Sequence, residues 1–116
     1  MIIALLPDAA TTEMLLNNLA EAEFDLQTVS VVMREAKQRA AIAEDVGPLK
    51  GIAADRLAEH LTRAGLTAQQ AAEYAAAVQH GQVFIAIDVP ESLSAVAREM
   101  LGDHDAKHIQ GMSLHA

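Results

Sequence analysis

The sequence predicts an α+β fold: a ferredoxin-like βαβ–αα–βαβ sandwich, with a four-stranded antiparallel sheet and two inserted helices. Three observations carry that prediction. Short apolar runs bounded by turn residues alternate with amphipathic stretches of helical period. The chain has 116 residues, which suits one domain over 1–116, with a helical insertion at about 35–81. An internal repeat relates its two ends. Ile3-Ala4-Leu5 followed sixteen residues on by Leu19 matches Ile85-Ala86-Ile87 followed sixteen residues on by Leu101. Two such βαβ units related by a pseudo-twofold place the first and third strands side by side and antiparallel.

The first strand is the apolar run Ile2–Leu6, stopped by Pro7-Asp8. Asp8 then caps a helix whose stripe is Leu15, Leu16 and Leu19. The second strand is Leu26–Met33, rich in β-branched residues. Residues 34–47 are charged and weakly periodic, and read as a partly helical excursion. A helix over about 48–64 follows, with Ile52, Leu57, Leu61 and Ala64 inward and Gly65 at its end. The next helix opens on the capping box Thr67-Ala68-Gln69-Gln70, carries Ala71, Tyr74, Ala75 and Val78 on one side, and stops at Gly81.

Val83–Val89 is the clearest strand. It puts Val83, Ile85, Ile87 and Val89 on one face, Phe84 and Ala86 on the other. Pro90 opens a helix with Leu93, Val96, Ala97, Met100 and Leu101 in one stripe and Gly102 as its stop. The last strand is Lys107–Leu114, with Gly111 weakening its centre. The strands are apolar on both faces, so a second cover is needed beyond the two helices of the repeat. Either the inserted helices 48–80 or a partner subunit supplies it.

Composition narrows the function classes. The chain has no cysteine, which removes disulfides, thiolate metal sites and cysteine nucleophiles. A net charge of −8 argues against nucleic acid and against an anionic membrane as partners. Three aromatics (Phe24, Tyr74 and Phe84) leave little for base stacking. No apolar run reaches the ~18 residues of a membrane span, and the N-terminus lacks a basic signal-peptide region, which points to the cytoplasm.

Candidate site residues are few. His104, His108 and His115 lie in an Asp-rich tail stretch and are the candidate ligands for a divalent metal. Gly102 places His104 in a turn and His108 in a strand, about 13 Å apart if extended at ~3.3 Å per residue, too far to share one ion. His60 and His80 read as structural. Arg34, Lys37 and Arg39 form the one basic cluster and read as a solvated segment. Asp8 and Asp88 look equivalent in the repeat, but the antiparallel pairing sends them to opposite ends of the sheet. No serine stands in a G-x-S-x-G context, and no glycine-rich phosphate loop is present. No catalytic residues and no cofactor are therefore expected.

The run Gly65-Leu66-Thr67-Ala68-Gln69-Gln70-Ala71-Ala72-Glu73-Tyr74, then Val78, Gly81 and the strand Val83–Val89, resembles the small bacterial heat-induced general stress protein family. The specific likeness covers about 25 residues. The chain departs from many relatives in keeping only Gly47 and Gly51 before its first inserted helix. The resemblance implies a stress-associated cytosolic protein and transfers no catalytic residue. The leading expectation is a non-enzymatic protein acting through partner binding or as a homo-oligomer, joined through the apolar sheet face or the inserted helices. The alternatives are a small-molecule-sensing regulatory domain and a histidine-based metal binder.

Overall fold

The computed structural model describes residues 1–34, 50–51 and 56–111. Their strands are β1 (Ile2–Leu6), β2 (Val29–Val32), β3 (Lys50–Gly51), β4 (Val83–Ile87) and β5 (Lys107–Gly111). Their helices are α1 (Ala9–Glu21), α2 (Leu57–Arg63), α3 (Ala68–Gln79) and α4 (Glu91–Asp103). The sheet order is β3-β2-β4-β1-β5. Four strands, β2-β4-β1-β5, run antiparallel to their neighbours, and the two-residue β3 adds in parallel beside β2. Among the described residues no helix is long and apolar enough to cross a membrane.

The central pair is β1 and β4. The register from Ile2↔Ile87 to Leu6↔Val83 makes the first and third expected strands antiparallel neighbours. It also leaves Asp8 and Asp88 beyond opposite ends of that pair. Every residue of both strands is buried. One face is covered by α1 and α4. There Ile2, Ala4, Leu6, Val83, Ile85 and Ile87 pack with Leu15, Leu16, Leu19, Ala97 and Leu101. On the other face Ile3, Leu5, Phe84 and Ala86 pack with Leu57, Leu61, Ala71, Tyr74 and Val78. Each fully buried side chain of this kind contributes about 1.5–3 kcal/mol. The inserted helices α2 and α3 thus cover the second face within the chain.

Several elements depart from expectation in their bounds. The second strand begins at Val29, not Leu26, because residues 26–28 form one 3-10 turn. The Asp25 carbonyl there accepts from both the N–H and the hydroxyl of Thr28, at 3.0 and 2.6 Å. Lys50–Gly51, expected inside a helix over 48–64, pairs instead with β2. A glycine early in a helix costs conformational entropy, and the open edge of β2 offers backbone partners. The described helix is Leu57–Arg63, and the expected inward residue Ile52 lies outside the described residues.

The helix after Pro90 does not stop at Gly102. It runs to Asp103, and His104 caps it. Its buried stripe is also narrower than predicted. Ala97 and Leu101 are buried, while Leu93 and Val96 are 41% and 44% exposed. The small Ala97 lets α4 approach the sheet over one side, where α1 already fills the neighbouring space with three leucines. The last strand is described as Lys107–Gly111, and residues 112–114 of the expected strand lie outside the described residues. Gly111 forms its end, where an added Cβ would meet the Arg98 guanidinium at 2.7 Å.

The predicted caps are in place. The Thr67 hydroxyl accepts from Gln70 N–H at 3.1 Å, and the Gln70 side chain accepts from Thr67 N–H at 3.3 Å. Gly81 has φ +99°, a left-handed conformation that ends α3 without a Cβ penalty. The Asp8 carboxylate accepts from Thr11 N–H at 2.7 Å, and its carbonyl accepts from the buried Thr12 hydroxyl at 2.8 Å. The Thr11 backbone N–H, and then the Thr11 side chain, hold the Asp8 carboxyl below its ordinary value. A lowered carboxyl stabilises the fold above its ordinary value, and that contribution is lost as pH falls through the lowered one. Asp8→Ala should destabilise the domain by about 1 kcal/mol at neutral pH. Asp8→Asn should keep most of the cap and flatten the acid limb of stability against pH, both read by urea unfolding. An acid limb identical in wild type and Asp8→Asn would remove this assignment.

Candidate functional site

The insertion covers the second sheet face over β1, β4 and Val32 of β2, and among the described residues the edge strand β5 adds none to that buried cluster. A groove remains between the flank of α3 and the polar side of β5. Its central depression, about 310 Å³, is lined by Leu5, Glu73, Tyr74, Ala77, Gln82 and His108. A smaller one, about 160 Å³, shares Glu73, Tyr74 and His108 with it and adds Gln70, Ile109 and Gln110. A third, about 250 Å³, shares Leu5 and Gln82 and extends to Pro7, Asp105 and Lys107.

A bulge in β5 shapes this groove. Gln110 pairs with Ile3 and Lys107 with Leu5, so three steps along β5 match two along β1. The extra residue is accommodated where His108 has φ +54°, a left-handed conformation uncommon for a non-glycine residue. The consequence follows from strand alternation. Without the bulge, Ile109 would pair with Ile3 and face the groove. With it, Ile109 packs against the α1–α4 core, while Lys107 and Gln110 share the α3 side with Leu5 and Ile3. Polar residues therefore form the floor where the insertion does not reach.

Tyr74 anchors the wall. Its helix position, i+3 from Ala71 and four before Val78, turns it toward the sheet. The ring packs edge-on against Phe84, with centroids 5.6 Å apart at 87°, and against His108 at 6.3 Å and 73°. The hydroxyl donates to the His108 carbonyl at 2.7 Å and accepts from the Gln110 amide at 3.1 Å. The bulged residue and its neighbour are thus both tied to α3. Burial pushes the Tyr74 phenol above its ordinary value. The Gln110 bond pulls the other way, and the Glu73 charge adds to the rise.

The three histidines singled out in the sequence have separate fates. His104 is half-buried, and both ring nitrogens are engaged. Nδ1 lies 2.8 Å from the Met100 carbonyl, which can only accept, so Nδ1 carries the proton. Nε2 then accepts from the Asn18 amide at 2.9 Å. This ring caps α4 and ties it to α1. His108 is exposed in the groove, and His115 lies outside the described residues. Among the described residues no group of three or more His, Cys, Asp or Glu side chains could hold a metal ion. His80 caps α3, its Nδ1 bonded to the Ala76 carbonyl at 2.7 Å. Of the basic cluster, Arg34 donates to the Gln79 carbonyl at 3.3 Å, and Lys37 and Arg39 lie outside the described residues.

Sequence reasoning named His108 but missed its neighbours Glu73, Gln82 and Gln110. The available signal was the unpaired hydroxyl of an inward-facing Tyr74, which needs a hydrogen-bond partner when buried. No family model, no curated protein and no solved structure matches the chain.

Tyr74 is the sole tyrosine, so its titration can be followed by tyrosinate absorbance without assignment. Its midpoint should lie above the ordinary value of 10. The neutral phenol stabilises the fold, so this contribution is present below the ordinary value and lost as pH rises through the raised one. Tyr74→Phe should cost about 1–2 kcal/mol in urea unfolding, because the His108 carbonyl and Gln110 amide lose a partner. A midpoint at or below that of free tyrosine would contradict the arrangement.

Proposed function

We propose that this chain is a non-enzymatic binding domain that takes a small ligand in the groove between α3 and β5. The strand order β2-β4-β1-β5, with α1 leading from β1 to β2 and α4 from β4 to β5, each past one intervening strand, supports reading the four antiparallel strands as a ferredoxin-like arrangement. The observation that carries the functional reading is the convergence of three depressions on one bulged edge strand, with a non-glycine residue held at positive φ between them. Local strain of this kind persists only where surrounding structure enforces it, and it clusters at binding sites. The Tyr74 hydroxyl is committed to two hydrogen bonds and its phenol holds its proton, which suits a wall group better than a proton-transfer group. In this reading the protein works in the cytoplasm as a sensor. Its link to stress rests on the sequence resemblance alone.

Amide shifts in an NMR titration with a panel of amino acids, nucleotides and polyols test the groove. Binders should move Glu73, Tyr74, Gln82 and His108 together. Shifts centred on any other surface, or none at all, would overturn the reading.

A second reading is self-assembly. Its support is the exposed pair Leu93 and Val96, one turn apart on α4, together with the exposed Met14 of α1. The sheet face itself is occupied by α2 and α3. If this reading holds, sedimentation shows a concentration-dependent mass that Leu93→Glu with Val96→Glu reduces to one chain. A single-chain mass for the wild type at every concentration would end it.

A further inference from the structure

We propose that the groove between α3 and β5 takes an organic ammonium group, with the Glu73 carboxylate as its counter-ion. This rests on the reading of the groove as a ligand site and names the chemistry it would select.

Glu73 lines both the central depression and the smaller one beside it, and among the described residues no other carboxylate lines either. No described lysine or arginine lines them. Lys107 and Asp105 belong to the third depression, beyond Gln82. Within the described residues no ion pair or hydrogen bond engages the Glu73 side chain, whereas Glu59 one helix away is paired with Arg63 at 2.7 Å. An unpaired carboxylate beside a cleft attracts positive charge, and a chain of net charge −8 adds a field of the same sign.

The other lining groups select an organic cation over a bare ion. Gln82 lines the central depression beside Glu73 with an amide oxygen that can accept an N–H bond. Leu5 and Ala77 offer apolar surface for a short alkyl chain, and the His108 and Tyr74 rings form an aromatic wall. A divalent metal would find Glu73 and His108 and no third His, Cys, Asp or Glu among the described residues. A cavity of about 310 Å³ lies at the small end of ligand sites and suits a small amine.

The experiment compares n-butylammonium with n-butanol and butanoate, which keep a short alkyl tail and replace the cationic head by a neutral or an anionic one. Zinc is titrated in parallel. Tyr74 emission reports binding directly, because the chain has one tyrosine and no tryptophan. Amide shifts at Glu73 and Gln82 locate it. The ammonium should bind at least about fivefold tighter than the alcohol, and Glu73→Gln should remove that preference. A fivefold effect corresponds to the upper range of a partly exposed ion pair. Glu99→Gln, an exposed charge on α4, should change nothing.

Equal affinity for the alcohol or butanoate overturns the ammonium proposal and leaves the groove standing as a ligand site. So does stoichiometric zinc binding without any response to the amine. A failure of every probe to move groove amides, while a broader panel does, overturns the ammonium proposal alone. Failure of both sets overturns the groove reading itself. Glu73 is exposed on α3, so Glu73→Gln should fold, and its retained Tyr74–Phe84 packing can be checked by the Phe84 amide shift.

Discussion

Both central strands are buried on both faces, and this is the constraint on which the remaining structure depends. β1 and β4 each carry five consecutive buried positions. Neither face can be left to water without exposing a large apolar patch and inviting association. The α1–α4 layer meets one face, the α2–α3 insertion the other. The layers differ in character. Leucines from α1 fill the first, with Ala97 permitting close approach. In the second the aromatic pair Tyr74 and Phe84 packs edge to face beneath α3.

The groove is the remainder of that solution. A short insertion covers β1, β4 and Val32 of β2, and β5 presents its polar side beyond the cover. The bulge makes this affordable for the core, since it returns Ile109 to the first face while keeping Lys107 and Gln110 on the second. Tyr74 then joins the layers: its ring belongs to the core and its hydroxyl holds the bulged strand. A site on a strand tied to a helix in this way is better ordered than a free loop would be, which suits recognition of a small molecule.

Much of the fold was legible because periodicity and punctuation agreed. Val83–Ile87 showed both faces in its alternation, and the Asp8 and Thr67 caps marked helix starts within a residue. The internal repeat led to the antiparallel pairing of β1 with β4. Legibility failed where tertiary contacts override local pattern. Leu93 and Val96 have the period of a buried stripe, yet burial depends on what lies opposite, and Ala97 and Leu101 use all the contact available. Gly102 has the composition of a stop, but the His104 ring and backbone caps carry the helix past it. Lys50–Gly51 pairs with β2 because of an edge that no local window contains. The groove was the least visible part. Glu73 and Gln82 look like solvated residues of a helix and a turn, and only the bulge at His108 assembles them.

The central claim is that one chain covers both faces of its own sheet. Amide hydrogen exchange of β1 and β4, followed over a wide range of protein concentration, tests it most directly. Full burial within the chain predicts that these amides are the slowest to exchange and that their protection does not change on dilution. Protection that falls as the protein is diluted would show that another chain supplies the cover, and would contradict the account.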